Sequence, residues 1–188
     1  MSIILTNKFI GGTMMKCDNG CFKIDGMYYD IIKRNGKIEI TPCRHNLVVT
    51  SVTKLISALL GGKISSGIKY WAVGSGDDSW DTNPADPQLS EVRLTNEIGR
   101  KVITADDIEF YDSNNNPSPT PTNRLHIHAT FGEDECNGKW REFGLFGGDD
   151  ASVVVNSGIM VDKKHHDVIT KTSDTIIERH IVLTFNLA

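Results

Sequence analysis

The sequence predicts an α+β protein, predominantly β: a β-sandwich-like core with one long helix over about residues 46–60 and β-hairpins at the N-terminus. Three observations carry this. Residues 124–131 alternate, with Leu125, Ile127, Ala129 and Phe131 on one side and Arg124, His126, His128 and Thr130 on the other, the period of a half-buried strand. Asn35-Gly36 stands between two runs of strand character, the strongest short hairpin signal. Only one stretch has clear helical spacing, Val48, Val49, Val52, Leu55, Ile56, Leu59 and Leu60, and strands at short intervals follow it.

In chain order, residues 13–16 and 21–25 flank the turn Asp18-Asn19-Gly20, and residues 28–34 and 37–41 flank Asn35-Gly36. Ile38 and Ile40 point one way, Lys37 and Glu39 the other. Pro42 stops the ladder. Two isolated hairpins are marginally stable, so residues 1–45 read as an appendage leaning on a second unit, residues 46–188. The helix starts at an Asn46 or Thr50 cap and stops at Gly61-Gly62. Strands are expected at 68–73, 100–104 and 107–111, with a helical turn somewhere in 88–99. Residues 112–123 form a Pro/Ser/Asn-rich loop. After the 124–131 strand, further strands are expected at 152–156, 158–163, 168–171 and 176–185.

Trp140 to Gly148 is the densest apolar stretch, Trp-Arg-Glu-Phe-Gly-Leu-Phe-Gly-Gly, and it breaks strict alternation. A glycine inside a strand marks a bulge, a bend or a close backbone approach. The reading here is a core strand bent at Gly144, so that Phe143 and Leu145 pack on different parts of the core.

Composition bounds the function. A chain of 188 residues suits one domain with room for a real core. The net charge is -4 with both signs scattered, so no basic stripe marks a nucleic-acid surface. No apolar run approaches the roughly 20 residues of a membrane span. The first ten residues have no basic region ahead of the apolar ones, so no signal peptide is expected and synthesis in a cytosol is the default. The cysteines, Cys17, Cys21, Cys43 and Cys136, then read as thiols or metal ligands before disulfides.

Several groups invite chemistry. His126 and His128 share a strand face and, repeated in a symmetric trimer, would offer imidazoles to a transition metal; an exposed polar face is the plainer account. Cys17, Cys21, Cys43 and His45 could clip the hairpins with zinc, although three residues rather than two separate the first pair; small buried thiols are the alternative. Gly74-Ser75-Gly76-Asp77-Asp78 lacks the Lys-Ser/Thr ending of a phosphate loop. Glu133, Asp134 and Glu135 are adjacent acids in a turn, with nothing to drive their pKa values apart. No nucleophile, base or cofactor loop is anchored, so the protein reads as non-enzymatic with no cofactor.

Three stretches in order resemble the phage tail-collar fibre protein family, the N-terminal attachment region of tail fibres. They are Tyr70-Trp-Ala-Val-Gly-Ser-Gly-Asp77, Leu94-Thr-Asn-Glu-Ile-Gly-Arg100 and Arg141-Glu-Phe-Gly-Leu-Phe146; the closing strand, with Glu178-Arg179 leading into residues 181–185, also fits. The resemblance covers residues 46–188. The family pattern leads one to expect a fibre shaft beyond Ala188, which favours an adaptor over a receptor-binding fibre. It implies a structural protein of a phage or phage-like contractile tail, in the baseplate or at the fibre attachment, located in the virion and assembled in the host cytoplasm. Partners would be other tail proteins and further copies of the chain, with a trimer favoured. Glu97, Arg100, Arg141 and Glu142 are the expected structural ion pairs, and Tyr28, Tyr29 and Trp80 the expected interface aromatics. The alternatives are a carbohydrate- or receptor-binding module, with Trp80 beside Asp77, Asp78, Asp81 and Asn83, and a hydrolase of envelope polymers.

Overall fold

A computed structural model describes residues 22–187. The elements run β1 (Phe22–Arg34), β2 (Lys37–Ile40), β3 (Arg44–Val48), α1 (Val52–Leu60), β4 (Ile68–Gly74), β5 (Glu97–Val102), β6 (Ile108–Tyr111), β7 (Pro117–Ser118), β8 (Arg124–Phe131), β9 (Gly138–Gly147), β10 (Ile159–Lys171) and β11 (Thr175–Leu187). The protein is α+β and predominantly β, as its sequence predicts. All eleven strands join one antiparallel sheet in the order β5-β4-β9-β10-β3-β1-β11-β8-β6-β7, with β2 hydrogen-bonded to β1.

The sheet folds over on itself at β3. This short strand pairs with β1 through Asn46, His45 and Arg44 and with β10 through Val48 and Leu47. The two halves then face each other across one core. Tyr28 of β1 meets Phe143 of β9 edge to face at 4.8 Å, and Phe131 of β8 meets Trp140 of β9 at 4.9 Å. Trp71, Val73, Ile127, Ile177 and Ile181 complete the shared core, and α1 adds Val52 and Leu55. A second cluster, Val49, Tyr70, Ala72, Leu94, Phe146, Ala151 and Met160, covers the opposite side of β4, β9 and β10. The second half of β9, Phe143 to Gly147, is therefore buried on both faces, which accounts for its apolar run.

The Asn35-Gly36 hairpin forms as expected, both residues having positive φ (48° and 72°), and β1 pairs with β2 from Arg34↔Lys37 outward. The alternation of β8 also holds: Ile127, Ala129 and Phe131 lie in the core. Four expectations are corrected. The helix spans Val52–Leu60 rather than 46–60. Asn46, Leu47 and Val48 are drawn into β3, and the Val49 N–H donates to Val161 O at 3.1 Å, an extended course that suits β-branched valines. The boundary at 45/46 thus falls inside β3, and the described part of the expected appendage belongs to the main sheet: β1 pairs with β11 from Phe22↔Leu187 to Arg34↔Thr175. Residues 22–25 continue into this strand; the remainder of the first expected hairpin lies outside the described residues. Residues 88–99 hold a turn and the start of β5, with no helix. Residues 152–156 are loop, while 159–171 run as one strand.

Gly144 does not send its neighbours to different parts of the core: Phe143 and Leu145 both belong to the shared cluster. Trp140 and Phe143 both face the shared core, whereas Arg141 and Glu142 both turn to the loops on the other side. The pairing opposite is irregular: four steps of β10, His165 to Ile169, lie against two of β9, Glu142 to Trp140, so the extra residues are on β10. Gly144 serves a different need. A Cβ there would lie 2.7 Å from Asp162 O, so glycine lets two backbones approach.

Candidate functional site

The three stretches that carry the family resemblance are neighbours in space. Their strands β5, β4 and β9 are consecutive in the sheet, with Ala72 paired to Arg100 on one side and to Gly144 on the other. Their charged residues all point at the loops 75–96 and 149–157, which lie over this half of the sheet.

Each charge fastens one loop. Arg100 grips Glu97 with two parallel contacts, Nε–Oε1 at 2.6 Å and Nη2–Oε2 at 2.8 Å, both side chains buried. This is the expected ion pair in its bidentate form. Arg100 Nη1 also donates to Ser152 O at 2.8 Å, and Glu97 accepts from the Asn156 N–H at 2.7 Å, so the pair holds the 149–157 loop. The guanidinium sits 4.8 Å above the Phe146 ring, where cation–π attraction adds to the contact.

Arg141 and Glu142 are also paired, though not with each other. Arg141 donates to Asp81 Oδ1 at 2.6 Å and to Ser75 O at 2.8 Å, and meets Asp78 at 2.7 Å. The guanidinium contact holds the Asp81 carboxyl below its ordinary range. Glu142, fully buried, accepts from the N–H groups of Thr95 (3.0 Å) and Asn96 (2.8 Å) and lies 3.2 Å from Lys163. Lys163, equally buried, also donates to Glu91 and to Arg93 O. Burial pushes the Glu91 carboxyl up, but the Lys163 ammonium and the Gln88 N–H outweigh it and hold the group down.

Trp80 belongs to the same device. Its ring stacks on His165 at 3.9 Å, and a Cβ on Gly76 would lie 2.6 Å from its Cε3. It is half-buried, with one face of its ring committed to His165. Tyr28 is 3% exposed and lies in the core, so it is no surface anchor. Tyr29 lies on the outer face of the sheet, stacked on His180 at 4.6 Å. Between the loops an open cavity of 590 Å³ is lined by residues 90–95, Asn156 and Lys163. Its one buried charge is already neutralised by two carboxylates.

Among the described residues neither metal expectation is assembled. Cys17 and Cys21 lie outside the described residues. Cys43 is an exposed free thiol, and His45 is exposed on β3. His126 and His128 do lie together on the outer face of β8 and are joined there by His180 of β11. Among the described residues no three His, Cys, Asp or Glu side chains converge on a point where a metal could sit.

Sequence reasoning missed three buried polar systems. Asp30 and Arg179 pair at 2.5 and 2.7 Å inside the shared core, with the guanidinium 4.5 Å over Phe143. Asp162, fully buried, accepts from the Leu145 N–H and from Asn46 Nδ2. Lys171 donates to Gly132 O and Asn137 Oδ1. The first had a signal: Asp30 shares strand parity with Tyr28 and Ile32, and Arg179 with Ile177 and Ile181. A charge of each sign at a core position on two strands asks for a partner. No protein-family model, no curated protein and no solved structure matches the chain.

Proposed function

We propose that this chain is a structural component of a phage or phage-like contractile tail, a baseplate or fibre-attachment adaptor that acts by assembly. One observation carries the reading. The three stretches resembling the tail-collar fibre family are consecutive strands β5, β4 and β9, and their charged residues fix loops to the sheet. Glu97, Arg100, Arg141, Glu142 and Lys163 are all committed to internal contacts. Such a pattern gives rigid loop surfaces of defined shape, which docking requires, and offers no group poised for proton transfer or nucleophilic attack.

The exposed apolar residues fit the same reading. Leu89 and Val92 on one pinned loop and Val153, Val154 and Val155 on the other are more than half exposed. Partners would be other tail proteins and further copies of this chain. No described helix is long and apolar enough to cross a membrane. The test is composition and position: the chain is tagged in the producing particle, and purified particles are analysed by quantitative mass spectrometry and labelled electron microscopy. The expected result is a fixed copy number in tails, in a multiple set by tail symmetry. A protein absent from every particle and monomeric at all concentrations overturns the proposal.

A further inference from the structure

The outer face of β1, β11, β8 and β6 carries a row of rings that the assembly reading does not use. Tyr29 stacks on His180 (4.6 Å, 4° between planes), and Tyr111 stacks on His126 (4.5 Å, 17°). Between them the two imidazoles are within 11° of parallel, with His126 Nε2 3.0 Å from His180 Nδ1. Their other nitrogens face carboxylates: His126 Nδ1 is 3.4 Å from Glu109 Oε2, and His180 Nε2 is 3.2 Å from Glu178 Oε1. A third imidazole, His128, has its centroid 5.8 Å from that of His126 and 5.7 Å from that of His180. His126 and His180 are only 4% and 8% exposed.

Counting hydrogens shows what this chain tolerates. Two neutral imidazoles bring two ring N–H groups, enough for the two hydrogen bonds His126–Glu109 and His126–His180. One added proton goes to His180 Nε2, which makes no hydrogen bond and lies 3.2 Å from Glu178 Oε1. A second would set N–H against N–H across 3.0 Å, beside His128. Burial holds both imidazoles below their ordinary 6.5, against the pull of Glu109 on one and Glu178 on the other. The remaining charged or titratable neighbours are few. Lys33 of β1 lies 3.4 Å from Glu178, Asp107 lies 3.7 Å from His128, and Asp30 acts on His180 from the core side. Tyr29 and Tyr111 stay neutral, burial raising both phenols.

We propose that His126, His128 and His180 form an acid-sensitive latch, holding β6, its β7 partner and the 112–123 loop to the sheet near neutral pH and releasing that end in mild acid. β6 is where the sheet gives way. It pairs with β8 only at Ile108↔Ile127, Glu109↔His126 and Phe110↔Leu125, whereas β8 is bound to β11 from Ile177↔Phe131 to Thr184↔Arg124. When β6 leaves, His126 loses the Tyr111 ring and the Glu109 carboxylate and meets water; burial, the largest cause of its lowered pKa, is relieved, so it binds a proton more tightly than in the closed sheet. A group that binds protons more tightly in the open state favours opening as pH falls. The latch stands on this geometry whether or not the chain serves in a tail.

The test is amide hydrogen exchange of the full chain between pH 5 and 8, corrected for the intrinsic pH dependence of exchange. Protection of residues 108–111 is expected to fall about tenfold from pH 7.5 to 5.5, while β8 and β11 stay protected. His128→Gln removes an imidazole from beside the pair and moves the release to lower pH. Glu109→Gln, at an exposed side chain that leaves the fold intact, moves it to higher pH. Protection of β6 that is flat with pH overturns the proposal, as does a midpoint unmoved by both variants. Loss of β8 and β11 protection together with β6 overturns it too, because that is global acid unfolding.

Discussion

The Asp30–Arg179 pair shows how a single buried charge is made tolerable. Both groups are out of water, 149 residues apart in sequence, and joined by two hydrogen bonds. Removing one partner strands the other in a low-dielectric core. Asp30→Asn or Arg179→Ala is expected to cost about 3–5 kcal/mol in urea unfolding, while the double variant Asp30→Leu with Arg179→Met recovers most of that loss. Asp162 and His166 set the pH limits. Burial pushes the Asp162 carboxyl up to about 7 from 3.8. A carboxyl raised in the native state contributes stability that is full below its unfolded value and lost as pH rises through 7. Burial, aided by the Arg179 charge, pushes His166 down to about 3 from 6.5, so its contribution is present above 6.5 and lost as pH falls. Asp162→Asn keeps an oxygen for the Leu145 N–H. Its Tm is expected to gain on that of the parent protein as pH rises from 5 to 8, measured by calorimetry.

Among the elements, β9 depends on Gly144. A Cβ at that position meets backbone, Asp162 O, which cannot swing aside. Gly144→Ala is expected to destabilise by about 1–3 kcal/mol, whereas Gly67→Ala, where a Cβ meets nothing within 4 Å, is expected to stay within about 0.5 kcal/mol. How much was legible from sequence follows from the range of each interaction. The β1–β2 hairpin and the two faces of β8 were readable because adjacent residues decide them. The helix start was not: Val48 and Val49 fit helical spacing, and only the distant β10 claims them as extended chain. At the candidate site, the Glu97–Arg100 contact was visible as a local spacing. The partners of Arg141 and Glu142 were not, because Asp81 comes from a loop and Lys163 through the long-range register of β10 against β9. The His126/His128 pair was plain on its strand, but His180 joins it only through the long-range register of β11.

At the scale of the whole molecule, β3 is the one strand among the described residues that joins the two halves of the sheet, yet their inner faces form one core. Unfolding is therefore expected to be a single transition. Trp71 and Trp140, both in the shared core, should lose their buried fluorescence at the same urea concentration as the far-ultraviolet circular dichroism signal; two separated midpoints would show that the halves unfold independently. The pairing of β1 with β11 has a further consequence, in time. At translation rates of 5–20 residues per second, Asp30 waits roughly 7–30 seconds for the ribosome to make Arg179. Through that interval β1 has no β11 to lie against, and the core is open along its whole length. β11 closes the fold, so the nascent chain is most exposed to chaperones and to aggregation until that strand has been made.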